Sequence, residues 1–195
     1  MKKIIIIALI CVTLISFASQ SYAKSDWEFY FFGINPNDFK GRKALPVIVG
    51  GLSSFVIHEA GHLIIGNALG MDARLEDHGG MVVMAHNYDD KSDSEKALFH
   101  SGGFIFQAFA GSILTAIPAT RHSDFTLGVN AFTFVNSLQY GFTGGIGGNS
   151  EYSDINQINE AGYPGPAIAI GTGIYAGYLT YINLDKYKES ENGAE

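Results

Sequence analysis

The segment Phe55-Val56-Ile57-His58-Glu59-Ala60-Gly61-His62-Leu63-Ile64-Ile65 sets two histidines four residues apart, with a glutamate directly after the first. Residues four apart share one face of a helix, so His58 and His62 can turn two imidazole nitrogens toward a single zinc ion. Glu59 then sits beside the first ligand, where it can take a proton from zinc-bound water, whose pKa the metal lowers to about 7. Glu59 is therefore the candidate catalytic base of a metal-assisted hydrolysis. With 6 His and 9 Glu among 195 residues, chance supplies such a pentapeptide in about one chain in a hundred. Three polar side chains in so apolar a helix are costly without a partner, and a metal ion removes that cost.

A catalytic zinc site requires a third protein ligand. Oxygen donors concentrate in Asn149-Ser150-Glu151-Tyr152-Ser153-Asp154, just after the glycine-rich stretch 141–148. Asp154 is the first choice and Glu151 the second, while Glu160, His78, His86, His100 and His122 stay open. Among these histidines His100 stands out, because it falls early in an apolar segment where a solvated loop residue is not expected. A hydrogen-bond donor for a developing oxyanion would be Asn136 or Asn149. The only cysteine, Cys11, lies in the N-terminal apolar run, so neither disulfides nor thiolate ligands serve the rest of the chain.

The elements that must position these residues can be read from apolar patterning and punctuation. Pro46 opens an apolar helix to about Leu69 that carries the motif, and Gly70 is its stop. Residues 73–77 and 81–85, around His78-Gly79-Gly80, read as a β-hairpin. Ser92 and Glu95 form a capping box that starts a second helix toward Ile117, which Pro118 ends. A third apolar stretch spans Phe125 to about Tyr140 and a fourth Pro166 to about Leu184, followed by a polar tail. The fold class is mainly α: a bundle of about four apolar helices with a small hairpin after the motif helix.

Residues 1–23 read as a secretory signal, with Lys2 and Lys3, the apolar run Ile4 to Ile15, and Ser21-Tyr22-Ala23 before the cleavage point. That leaves 24–195 as a single domain outside the cytoplasm, in a bacterial-type cell envelope. Loss of Lys2 and Lys3 takes the formal charge from −7 to −9 with no basic stripe, so nucleic acid is not a partner. Each of the four apolar segments is near the length of a bilayer crossing, and all contain the small residues that let helices pack closely in lipid. A multi-pass inner-membrane protein is expected. Against it stand a mean hydropathy of only +0.13 and the basic residues Lys40, Arg42, Lys43 and Arg121, which that topology leaves on the external side. A periplasmic or peripheral enzyme with the same chemistry is the alternative. A non-enzymatic helical protein with a structural or degenerate metal site is another.

The order of these elements resembles the site-2 protease class of intramembrane metalloproteases: an apolar helix with H-E-x-x-H, a hairpin, a further helix and a distant aspartate. The similarity covers roughly residues 46–160. His58, Glu59 and His62 match the family motif directly, and the aspartate maps to Asp154 in Ser153-Asp154-Ile155, where the family usually has Asp-Gly. Gly102-Gly103-Phe104-Ile105-Phe106-Gln107 resembles the small-residue turn of the family's second core helix, and Asn136 an asparagine ahead of the aspartate loop. The proline-rich approach to the aspartate is absent. The resemblance implies a zinc-dependent protease whose substrate is a membrane-anchored or membrane-proximal polypeptide, cut in a sequestered cavity.

Overall fold

The computed structural model describes residues 41–77, 81–144 and 153–192. The expected leader at 1–23, the hairpin turn with His78, and both Asn149 and Glu151 lie outside those residues.

Helix α1 spans Ala44–Ala68 and holds Pro46 in its first turn, where amide groups lack intrahelical acceptors and a missing N–H costs nothing. It stops where the sequence predicts. Gly70 takes the left-handed conformation (φ 69°), its N–H donates to the Asn67 carbonyl (3.0 Å), and the Met71 N–H reaches back to that of Gly66 (2.8 Å). Met71 is then buried with Ala73 and Phe99 against Leu63 and Leu69. That contact turns the chain into the hairpin, β1 Ala73–Asp77 and β2 Met81–Ala85, paired antiparallel from Ala73↔Ala85 to Asp77↔Met81.

Helix α2 covers Asp93–Ala116 and begins with the expected capping box: the Ser92 hydroxyl accepts from the Glu95 amide, and the Glu95 carboxylate accepts from the Ser92 amide. Pro118 does more than end it, since its preset φ starts a further short helix, α3, Pro118–Arg121. Helix α4 spans Asp124–Thr143 and is closed by Gly144 at φ 71°. The stretch around Asp154, read from sequence as loop, is instead a short helix, α5, Asp154–Glu160. Helix α6 runs Gly165–Asn192. The polar tail expected after Asp185 is therefore helical, as the good helix formers Lys and Glu in 186–191 allow. The outcome is the mainly helical bundle with one small hairpin that the patterning implies.

Backbones in this bundle touch. A Cβ added to Gly61 of α1 would fall on the Gly102 carbonyl of α2, and one added to Gly128 of α4 on the Val47 carbonyl of α1. Between the helices lie buried Ser54, Gln107, Asn130, Thr133, Ser137 and Thr180, while Leu52, Val56, Phe109 and Phe142 face outward, the last 75% exposed. The interior thus mixes polar residues with apolar ones such as Phe104, Leu127 and Val129, while large apolar side chains cover much of the outside, and close approach through glycine is how helices pack where the surroundings are already apolar. Helices α1 and α2 are each long and apolar enough to cross a membrane.

Candidate metal centre

His58 and His62 lie one turn apart on the buried side of α1, 3% and 4% exposed. Helix α2 packs against them because Gly103 has no side chain: a Cβ there would fall on the His58 ring. Phe104 then meets that ring edge-on at 5.2 Å.

The hydrogen bonds of these rings set their tautomers. His62 Nδ1 lies 2.8 Å from the Phe99 carbonyl oxygen, which can only accept, so Nδ1 carries the proton. His58 Nδ1 lies 3.1 Å from Gln107 Oε1. The Gln107 amide is oriented in turn, because its Nε2 donates to the Ser54 carbonyl (3.2 Å), so its oxygen must face His58. Ser54 is itself held by Thr133 at 2.8 Å. In their neutral forms both histidines are thus left with Nε2 as the nitrogen that can offer an electron pair, the arrangement found where outer-shell partners orient metal-ligating imidazoles.

Asp154 reaches the same point from the first turn of α5. Its Oδ2 lies 3.1 Å from His58 Nε2 and 3.5 Å from His62 Nε2, and the two Nε2 atoms are 3.2 Å apart. The start of α5 is pinned by Ser153, whose hydroxyl donates to the Gly144 carbonyl at the end of α4. Burial alone would push the Asp154 carboxyl up. With no metal bound, the charge of a protonated His62, with hydrogen bonds from His100, His58 and His62, overrides burial and holds it well below the usual carboxylate range. Three ligand atoms, all within 4.8 Å of one another, converge here, and this cluster could hold a metal ion.

Glu59, partly buried, feels the charges of His58, His62 and Asp154, and its carboxylate accepts a hydrogen bond from the Val83 amide of β2. His100, the least ordinary of the open histidines, also belongs here. Its Nδ1 lies 3.2 Å from Asp154 Oδ1 and its Nε2 3.0 Å from the Tyr88 hydroxyl, which also reaches Gln157 at 3.2 Å. Burial, with the carboxylates of Glu160, Asp89, Asp93 and Asp154, pushes the Tyr88 phenol up to about 12, so it stays protonated.

The remaining sequence candidates fall elsewhere. His86 is exposed and pairs with Glu76 across the hairpin. His122 hydrogen-bonds the Asn183 carbonyl, away from the cluster, Glu160 is exposed at the end of α5, and Asn136 is half-buried on α4. Gln107, Tyr88 and the Phe99 carbonyl escape the sequence reading as orienting groups, since none carries a signal until the chain is folded. Comparison of the chain with protein-family models, curated proteins and solved structures yields no match. The class defined by fold and site together is a helical bundle with a buried His-His-Asp cluster.

Proposed function

We propose that this protein is a zinc-dependent peptidase of the membrane, with His58, His62 and Asp154 as metal ligands and Glu59 as general base. The observation that carries this reading is the triangle of His58 Nε2, His62 Nε2 and Asp154 Oδ2, with edges of 3.2, 3.1 and 3.5 Å. Ligand bonds of about 2.0 Å in a tetrahedron give edges of roughly 3.3 Å, so the spacing suits zinc, as does a set of two imidazoles and one carboxylate. When bound, zinc would polarise the scissile carbonyl and make an attacking water acidic near neutral pH.

The chain's own residues supply the rest. Glu59, held by the Val83 amide, accepts the proton of the attacking water and returns it to the leaving nitrogen, so no covalent intermediate is needed. Gln107 and the Phe99 carbonyl keep both Nε2 atoms turned to the metal.

The large apolar side chains on the outer face and the close glycine contacts between helices support a bilayer as the surrounding solvent. In that setting His62, six residues before the end of α1, lies about 9 Å along the helix from its terminus. A site at such depth favours a membrane-anchored polypeptide as substrate.

The test is Glu59→Gln in purified protein in detergent, with fluorescein-labelled casein as the probe. The variant should keep one zinc per chain and lose cleavage by about 10²-fold or more. Cleavage by the variant at the level of the unaltered protein would remove Glu59 as the base, and no cleavage by the unaltered protein when loaded with zinc would leave a structural metal site in a non-enzymatic protein. Release from membranes by alkaline carbonate would instead favour a peripheral enzyme.

A further inference from the structure

Peptide hydrolysis at this site, which the following inference presupposes, needs a group that stabilises negative charge on the carbonyl oxygen as water attacks. We infer that Tyr140 is a catalytic residue, its hydroxyl donating a hydrogen bond to that oxygen.

Tyr140 lies near the C-terminal end of α4. Its ring stands edge-on to Phe104 at 5.5 Å and 6.1 Å from the ring of His58. It packs on the cluster of Phe104, Ile155, Ile158 and Ala169, which fixes it from α2, α5 and α6 together. A side chain gripped in this way can present its hydroxyl without reorganising during the reaction. The charged groups that act on that hydroxyl are Asp154 and Glu59, a metal ligand and the base. The hydroxyl makes no hydrogen bond to any of the described residues, although buried tyrosine hydroxyls usually find a partner. A donor beside the His58 ring, with no acceptor among the described residues, can serve a substrate carbonyl.

Two other groups on α4 compete for the role. The Ser137 hydroxyl also has no partner among the described residues, but it is completely buried, and a substrate does not reach it. Asn136, half-buried and one turn earlier, remains reachable. In the step itself, the water oxygen bonds to the carbonyl carbon, Glu59 takes the water proton, and the C–N bond breaks as that proton passes to nitrogen. Tyr140 keeps its own proton throughout.

Tyr140→Phe retains the ring and its packing, so it isolates the hydroxyl. Expected results are unchanged zinc stoichiometry, an unchanged visible spectrum of the cobalt-substituted protein, and a kcat on fluorescein-casein about 100-fold lower with little change in KM. Calorimetric affinity for a phosphinic peptide, whose tetrahedral oxygens mimic the attacked carbonyl, should fall by a similar factor. Activity within threefold of the unaltered protein, or a loss confined to Asn136→Ala, overturns the role of Tyr140 and leaves the peptidase standing. If the unaltered zinc-loaded protein does not cleave casein, the peptidase reading fails, and this inference falls with it.

Discussion

Helix α1 begins and ends in buried polar clusters that are built on opposite principles. At its start, donors face acceptors: the Arg42 guanidinium meets the Asp124 carboxylate (3.1 Å) and the carbonyls of His122 (2.8 Å) and Asn183 (3.1 Å), and the Lys43 amide meets the other Asp124 oxygen. About two turns from the other end, with the rings neutral, acceptors face acceptors, as two Nε2 atoms and a carboxylate oxygen crowd into one space. The first cluster pairs charges of opposite sign and ties α1, the start of α4 and α6 together. The second, with its rings neutral, lacks a donor and could be completed by a metal ion. A buried polar cluster therefore signals chemistry when its groups share one sign, and architecture when they alternate.

The sharpest way to break the contrast is Asp154→Ala, which removes one donor from the like-signed cluster. Zinc affinity, measured by competition with a chromophoric chelator, should fall beyond the about 10–100-fold that loss of an outer-shell partner costs. Chelation should also stop affecting the melting temperature of this variant, whereas it should lower that of the unaltered protein. Retention of zinc with loss on Glu151→Ala would transfer the ligand role.

Next in size is Arg42→Ala, which strands the Asp124 carboxylate. We expect a loss of about 3 kcal/mol in stability, read from denaturant or thermal unfolding in detergent, at undiminished zinc affinity. Parallel losses in both would show that the two ends of α1 are not separate devices.

The smallest expected effect belongs to His100→Ala. His100 holds the Asp154 oxygen that faces away from the histidines, so its removal should weaken zinc binding about tenfold and leave His58, His62 and Asp154 all still ligating. A cobalt spectrum showing a lost ligand, rather than a weaker site, would contradict a purely positioning role.

Much of this architecture was legible in the residues because its signals are local. The Ser92–Glu95 box, the Gly70 stop and both hairpin strands depend on neighbours within a few positions, and each stands where the pattern places it. The i, i+4 spacing of His58 and His62 belongs to the same category, since one helical turn brings them together whatever the rest of the chain does. Helix α5 was missed because seven residues after a glycine-rich stretch carry too short a period to read, and its start depends on a contact between Ser153 and Gly144.

What the sequence by itself determined is the pair of imidazoles with a carboxylate beside them, and the helices that carry them. Which aspartate joins them, which nitrogen of each ring is free, and which of the scattered histidines matters were decided only in the folded chain. Those answers rest on contacts between residues 37 to 96 positions apart, Phe99 with His62 and Asp154 with His58 among them. Only packing through glycines such as Gly61, Gly102 and Gly103 brings such groups within bonding distance, and no local pattern records where a distant helix will come to rest.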